Sequence, residues 1–280
     1  MVNIAVVFGG YSSEYEVSVK SGKFIYENLK DNSDWNVFEV CISSDKNFVR
    51  YNEKVYDLDY ENFSFIFNGT VLKPDAVFNI IHGDPGENGD LAEILEKNKI
   101  PQTACDVYVS KLTSNKKKYI EFVNSLGIPS SKQVLITSND INNLSSLSSS
   151  LTFPCIVKPN NGGSSIGVSK VYKSNELNEK VQIAFKEDDE VLIESFLDGQ
   201  EVSVGVIQNK NDRIILPITE IISNNELFDY SAKYLGESQE ITPGNVSEKS
   251  KKLIHEYLNN IYENINLNGC LLYTSPSPRD

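Results

Sequence analysis

The stretch CIVKPNNGGSSIGVSKV, residues 155–171, places a lysine, a Gly-Gly-Ser-Ser turn and a further glycine between two runs typical of β-strands. A backbone rich in glycine and serine presents N–H groups and hydroxyls that suit polyphosphate oxygens. Lys158 could add a positive charge at the same oxygens. The pattern is not GxxxxGK[ST], and the turn joins two strands. Two interpretations stay open here: a surface hairpin, or a flexible lid over phosphate.

The segment VLIESFLDGQE, residues 191–201, also has an apolar run typical of a strand, followed by acidic and apolar residues that could bind a ligand. A strand ending in Glu194, Phe196 and Leu197 has the form of an edge that could hold adenine through backbone groups and apolar side chains. Glu201 could then contact a ribose. The alternative is that these acids are solvated at the end of a strand.

Composition limits the classes of function. The chain has 280 residues, 40% of them hydrophobic, which is enough for two or three domains. A net charge of −13 argues against nucleic acid and anionic membrane surfaces as partners, whereas ATP can still bind where lysines and a metal ion converge. The four widely spaced cysteines predict buried thiols in a reduced, cytoplasmic protein. Two histidines exclude a His-rich metal site.

The first hundred residues predict an α/β domain that ends near Pro101. Their order is β-α-β-β-α, with a mainly parallel sheet expected. The predicted elements are a strand at Asn3–Phe8, a helix with Val17, Ser21, Phe24 or Ile25, and Leu29 on one face, strands at Trp35–Ile42 and Asp75–Ile81, and a helix at Asp90–Lys99 with Leu91, Ile94 and Leu95 aligned.

The rest of the chain predicts further sheets. The predicted elements are a helix over 119–126 that ends at Gly127, a loop at 139–150, strands at Phe153–Pro159 and Ile166–Tyr172, a helix at Asn175–Lys186, long strands at Glu190–Gln208 and Arg213–Ile222, and a helix at Ser247–Ile265. Glu226–Gly244 is polar and too long for a simple turn, which makes it a candidate active-site loop.

The order of Lys116, Lys158, the Gly-Ser turn and Glu194–Glu201 resembles the ATP-grasp superfamily, which holds ATP between two α+β subdomains. Within it the chain closely resembles the D-alanine–D-alanine ligases. The matching motifs stand in the family's order: GGYSSEYEVS (9–18), HGDPGENG (82–89), Lys116, VKPNNGGSSIGVSKV (157–171), VLIESFLDGQE (191–201) and DYSAKYLGESQEITPG (229–244). They cover the chain to about Gly269.

The resemblance implies a fold and its boundaries. An N-terminal doubly wound α/β domain, residues 1–103, precedes an ATP-grasp fold of two α+β subdomains, residues 104–190 and 191–270, the last one incomplete. Residues 271–280 are expected to be an unrelated tail.

The resemblance also implies roles for the substrate residues. Glu14 would bind the amino group of the first D-alanine, near Val17 and His82. Ser164 and Tyr234 would join Glu14 in a hydrogen-bonded cluster. Tyr234 favours D-alanine over D-lactate as the second substrate.

The nucleotide residues follow in the same way. The phosphates would be bound by the positive and hydroxyl side chains Lys116, Lys158, Lys233, Ser164 and Ser165. The adenine would lie among Glu194, Phe196 and Leu197, and the ribose near Glu201.

The implied reaction is the ATP- and Mg²⁺-dependent ligation of two D-alanines through an acyl phosphate, for peptidoglycan precursor synthesis, in a cytoplasmic enzyme that forms homodimers. Two alternatives stay open. Another ATP-grasp carboxylate–amine ligase would share the lid but should lack Glu14 with Tyr234. A nucleotide-binding protein without ligase activity would bind ATP only.

The end of the chain departs from the family. Relatives continue after Gly269 with a strand bearing an arginine and an aspartate, then a glutamate and an asparagine for Mg²⁺, and a Ser-Leu turn for the second D-alanine. None of these is found in LLYTSPSPRD, residues 271–280, where Pro276 and Pro278 oppose a central strand. We therefore expect no metal ligands, and weak ATP binding without turnover, from this chain as written.

Overall fold

The computed structural model describes residues 1–208, 212–223, 238–265 and 267. These residues form two compact units. The first is Met1–Lys111 together with Leu267, and the second is built from the described residues between Leu112 and Ile265. None of the described helices is long and apolar enough to cross a membrane.

The first unit is an α/β layer structure. Its elements are β1 (Val2–Gly9), α1 (Tyr15–Leu29), β2 (Trp35–Ile42), β3 (Phe48–Tyr51), β4 (Lys54–Asp57), β5 (Phe65–Phe67), β6 (Thr70–Leu72), β7 (Ala76–Asn79) and α2 (Asp90–Lys97); α3 (Val107–Ser114) carries the chain onward. The sheet order is β4-β3-β2-β1-β7, and β5 pairs with β6 in a separate hairpin.

Strand β1 is the central strand because both of its faces are apolar. Ala5 and Val7 pack in one buried cluster, and Val6 and Phe8 pack in another. β1 is parallel to both β2 and β7, as a strand buried on two faces by crossover helices should be. Gly22 in α1 lets the helix approach closely, because a Cβ there would stand 2.4 Å from the Phe8 ring.

One prediction for the first unit is corrected. The sheet is mixed rather than mainly parallel, because β3 and β4 add antiparallel pairs beside β2. They are joined by Asn52 and Glu53, both in the left-handed region with φ of 48° and 60°. Turns of this kind usually contain glycine, and this one has none, so the sequence did not predict it. Of the two alternatives predicted for the packed face of α1, Ile25 packs against the buried cluster and Phe24 is 68% exposed.

The second unit is built on antiparallel sheets. Its elements are α4 (Lys116–Ser125), β8 (Gln133–Thr137), α5 (Leu144–Leu147), β9 (Cys155–Pro159), β10 (Ser169–Val171), α6 (Leu177–Ala184), β11 (Glu190–Ser195), β12 (Glu201–Ser203), β13 (Val206–Gln208), β14 (Arg213–Ile215), β15 (Thr219–Ser223), β16 (Ser238–Ile241) and α7 (Glu248–Asn264). The sheet orders are β10-β9-β11-β8 and β12-β15-β16, and β13 pairs with β14.

The predicted pair of strands around the glycine turn is confirmed. β9 and β10 are antiparallel, with Val157 opposite Ser169 and Cys155 opposite Val171. The strands are shorter than predicted, so the connection, residues 160–168, is longer than an ordinary hairpin turn.

The long strands predicted at Glu190–Gln208 and Arg213–Ile222 are wrong as continuous elements. The first is divided into β11, β12 and β13, and the second into β14 and β15. The breaks fall at Gly199, at Gly205 and at Pro217, residues that weaken a strand or cannot donate to its ladder. Part of the segment predicted as a polar loop, Glu226–Gly244, is instead strand β16.

Candidate active site

The sheet β10-β9-β11-β8 separates an apolar face from a polar one. Side chains alternate between the faces along a strand. One face packs against α6 and buries Cys155, Val157, Val171, Val191, Ile193 and Ile136. Burial there raises the pKa of the Cys155 thiol to about 11. The other face, which we call the polar face, carries Gln133, Leu135, Ile156, Lys158, Lys170, Leu192 and Glu194.

Lys158 and Glu194 form an ion pair on the polar face. Their side chains are only 12% and 14% exposed, so both charges are largely removed from water. Ser131 Oγ donates to the second carboxylate oxygen of Glu194 at 2.9 Å. Lys158, expected at the phosphates, and Glu194, expected at the adenine, are therefore adjacent.

Lys116 lies at the first turn of α4, beside the base of the glycine turn. Its Nζ donates to the carbonyl of Gly162 at 2.6 Å. Asn115 caps the helix by accepting from Lys118 N, and the first turn holds three lysines and no acid. Positive charge at a helix N-terminus opposes the helix dipole, whereas an anion bound there is favoured. The three lysines in the first turn of α4 therefore favour a bound phosphate more than they favour the stability of the helix.

The tip of the glycine turn holds an unusual backbone. Ser164 and Ser165 have φ of 53° and 56°, between Gly162 at 89° and Gly167 at 75°. The left-handed region costs an L-residue about 1–2 kcal/mol. Ser164 is nevertheless 5% exposed, so the conformation is held in place. Successive N–H groups in turns of this kind form concave anion sites. The geometry is what a phosphate-binding turn needs.

Phe196 and Lys170 meet beyond the end of β11. The Phe196 amide donates to the Pro154 carbonyl at 3.0 Å, and the Lys170 ammonium stands 3.7 Å from the centre of the Phe196 ring. This cation–π contact holds the ring next to the polar face. Leu197 is 68% exposed, and Glu201 opens strand β12. Apolar walls beside Glu194 suit a purine ring.

In the first unit, Glu14 and His82 lie near one hydroxyl. Ser12 Oγ donates to the His82 carbonyl at 2.7 Å and accepts from Glu14 N at 3.3 Å. Gly83 has φ of 72°, and a Cβ there would come within 2.7 Å of Ser12 Oγ. Glu14 is 7% exposed. Burial lowers the pKa of His82, while the negative charge of Glu14 acts to raise it. Val17 lies half-buried in the first turn of α1.

Lys233 and Tyr234 lie outside the described residues, as does the tail 271–280. Their assigned roles stay predictions. Within the ranges that the structure describes, there is no group of three or more His, Cys, Asp or Glu side chains placed to hold a metal ion. The described residues thus fit a nucleotide, through lysines, open backbone and apolar walls.

Four contributors were not singled out from the sequence. They are Ser12, Ser131, Asn160 and Lys170. Lys170 could have been found, because it is opposite Ile156 and therefore on the same face as Lys158. The others act through tertiary hydrogen bonds, for which a single sequence holds no periodic signal.

The chain matches two family models in succession. Residues 3–105 match the D-ala D-ala ligase N-terminus, and residues 122–271 match the D-ala D-ala ligase C-terminus. The chain is 43% identical over 270 residues to the D-alanine–D-alanine ligase of Flavobacterium johnsoniae, covering 96% of this chain and 83% of that protein. It is 37% identical over 270 residues to that of Porphyromonas gingivalis, covering 96% and 82%.

Solved structures of D-alanine ligases also resemble the fold of this chain. The VanG D-Ala:D-Ser ligase from Enterococcus faecalis superposes with a TM-score of 0.78 at 28% identity, covering 94% of this chain and 82% of that one. The D-alanine–D-alanine ligase from Helicobacter pylori gives 0.76 at 27% identity, covering 94% and 85%. With its mixed α/β architecture and ATP-grasp fold, this chain belongs to the D-alanine–D-alanine ligase family.

Proposed function

We propose that the site of this chain serves the ATP-dependent ligation of two D-alanines to D-alanyl-D-alanine for peptidoglycan precursor synthesis, with no turnover expected from residues 1–280 as written. The observation that carries the proposal is the polar face, where the Lys158–Glu194 pair lies on the same sheet as the strained glycine turn, with Lys116 at the base of that turn. The cytoplasmic location, homodimer and domain boundaries at 103, 190 and 270 are proposed with it, from the family resemblance.

The nucleotide is held by residues of the second unit. Lys116 and Lys158 bind its phosphates, together with Ser164 and Ser165 in the turn. Glu194, Phe196 and Leu197 surround the adenine, and Glu201 contacts the ribose. Glu194 orients the Lys158 ammonium on the polar face, so little rearrangement is needed when phosphate binds.

The first D-alanine is held by Glu14, with Val17 and His82 nearby. A buried carboxylate attracts the substrate ammonium strongly, because little water competes for it. Burial keeps the imidazole of His82 neutral at pH 7, since its pKa is lowered. A neutral His82 leaves the charge of Glu14 available for the substrate.

ATP supplies the phosphoryl group that activates the carboxylate of the first D-alanine as an acyl phosphate, which the amine of the second D-alanine then attacks. The lysines reduce the repulsion between the anions that react. The glycine turn acts as the lid that keeps water away from the activated carboxylate. Lys233 near the phosphates, Tyr234 with Ser164 and Glu14, and Mg²⁺ as the counter-ion belong to the same proposal.

The test combines ATP binding by calorimetry with phosphate release measured with and without D-alanine. Phosphate release that requires D-alanine, and that is lost in Glu14→Gln, supports the ligase. ATP binding without D-alanine-dependent release, both by residues 1–280 and by the chimera described below, favours a nucleotide-binding protein without ligase activity. No ATP binding overturns the proposal.

The expectation that residues 1–280 lack turnover stays a prediction. A chimera tests it: residues after Gly269 are replaced by the corresponding segment of the Flavobacterium johnsoniae relative. Release by the chimera alone would support that expectation. Equal release by both proteins would contradict it.

A further inference from the structure

Asn160 is a fully buried polar residue at the point where β9 passes into the glycine turn. It follows Lys158 by two residues and precedes Gly162 by two. Its exposure is 0%, and both its side-chain atoms and both its backbone groups make hydrogen bonds. A buried amide is tolerated when it is fully satisfied in this way, and it then fixes the geometry of everything it contacts.

On one side Asn160 holds the start of helix α4. Its carbonyl accepts from Lys116 N at 3.0 Å, and its side-chain Oδ1 accepts from Lys117 N at 2.9 Å. These amides have no partner inside the helix, so Asn160 fulfils part of a capping role from a distant strand. The Lys116 side chain then returns to Gly162 at 2.6 Å. The position of Lys116 relative to the turn is set by these three bonds.

On the other side Asn160 is tied to the beginning of β11. Its N donates to the Glu190 carbonyl at 2.9 Å, and its Nδ2 donates to Glu190 Oε2 at 2.7 Å. The next residue continues the attachment, since Asn161 N and Nδ2 donate to Asp188 Oδ2 at 2.6 and 2.9 Å. The side-chain bond to Glu190 is charge-assisted, and the isosteric substitution Asn160→Asp removes it while keeping the backbone bonds.

We propose that the Asn160–Glu190 pair is a positioning device for the nucleotide site. It fixes the base of the glycine turn between two elements and thereby holds Lys116 and Lys158 at a set separation for the phosphates. A carboxamide can accept from the helix through Oδ1 and donate to a carboxylate through Nδ2 with one side chain. This inference rests on the proposed function, in which both lysines bind phosphate.

The test reverses the polarity of one hydrogen bond. In Asn160→Asp, the bond from Lys117 N is kept, but two carboxylates now face each other, and ATP affinity should fall about tenfold. In the pair Asn160→Asp with Glu190→Gln, the Gln amide can donate to the Asp carboxylate, and affinity should return to within about threefold of the parent. ATP affinity of the full chain is measured by calorimetry.

Controls separate this inference from its neighbours. Asn98→Asp in the first unit also removes an amide donor, to the Glu61 carbonyl at 2.8 Å, and should leave ATP affinity unchanged. Lys158→Met should weaken ATP binding both in the parent and in the Asn160 variants, because it removes a charge proposed to contact phosphate. A parent that does not bind ATP overturns the proposed function and this inference together.

The remaining outcomes concern the positioning pair alone. If the parent binds ATP and Asn160→Asp binds it equally well, with only the unfolding temperature lowered, the pair is structural and the inference is wrong. Failure of the double variant to recover affinity also overturns it. If the single variant does not fold, the double variant carries the test: it should fold and bind ATP like the parent, and a folded double variant with tenfold weaker binding contradicts the proposal.

Discussion

The two faces of the sheet β10-β9-β11-β8 differ in charge, although their residues are neighbours in sequence. Val157 and Ile193 have 0% exposure and belong to an apolar cluster. Lys158 and Glu194, each one residue further along, form an ion pair on the opposite face. The alternation of a β-strand thus separates the core from the candidate site by a single residue step.

The energetics of the two faces differ as well. Burial of aliphatic side chains contributes about 25 cal/mol per Å² of apolar surface removed from water. A largely buried ion pair contributes little net stability, because the desolvation of two charges offsets their attraction. Lys158 and Glu194 are therefore poorly explained by stability and well explained by a ligand.

The largest expected effect tests the difference between the two faces by removing an isoleucine side chain from each. Ile193→Ala on the apolar face should lower the free energy of unfolding by about 2–5 kcal/mol, because it leaves a cavity in a packed cluster. Its folded form should bind ATP like the parent. Ile156→Ala on the polar face should cost less stability, because Ile156 is only half-buried, and should weaken ATP binding severalfold. Chemical denaturation and calorimetry measure both quantities, and similar profiles for the two variants would break the comparison.

The next effect concerns charge. Lys158→Met keeps the aliphatic part of the side chain and should weaken ATP binding about ten- to a hundredfold, since a charge-assisted contact contributes about 1.5–3 kcal/mol. The control is Lys180→Met on α6, whose ammonium pairs with Glu179. Calorimetric dissociation constants for both variants decide the matter. An unchanged constant for Lys158→Met would remove Lys158 from the phosphate site.

The smallest effect sharpens the comparison in the first unit, where Glu14 is a buried charge beside His82. Glu14→Gln removes the charge that raises the pKa of His82, so this pKa should fall further, as followed by NMR titration.

Because the pKa of folded His82 already lies below its ordinary value of about 6.5, the unfolded chain binds more protons, and stability should fall as the pH drops below about 6.5.

His255 provides the internal control for that titration. It lies in α7 of the second unit, so its signals serve as the reference in the same experiment. A rise in the pKa of His82 in the variant, or equal shifts at both histidines, would contradict the assigned contact.

Much of this organisation could be predicted from the sequence, for identifiable reasons. Long apolar runs with clear ends gave β1 and β2, and Trp35–Ile42 was predicted with the bounds that the structure has. The glycine turn and the chemistry at its edges were recognisable because motifs follow one another in family order. Residue types alone left a surface hairpin and a lid over phosphate both open, and the family resemblance favoured the lid.

Other features could not be predicted from one sequence. The division of Glu190–Gln208 depends on how Gly199 and Gly205 are used in three dimensions, since isolated glycines are tolerated in many strands. Asn160 looks like any polar turn residue until its bonds to Lys117 N and Glu190 are seen. Local patterns predict elements, whereas hydrogen bonds between distant segments require the fold.

The most direct test of the central account is ATP titration monitored by the methyl NMR signals of isoleucines. Ile156 lies on the polar face beside Glu194, and Ile193 and Ile136 lie on the apolar face. Bound adenine should shift the Ile156 methyl signal and leave those of Ile193 and Ile136 in place. Equal shifts on both faces, or a shift confined to Ile193 and Ile136, would contradict the assignment of the nucleotide to the polar face.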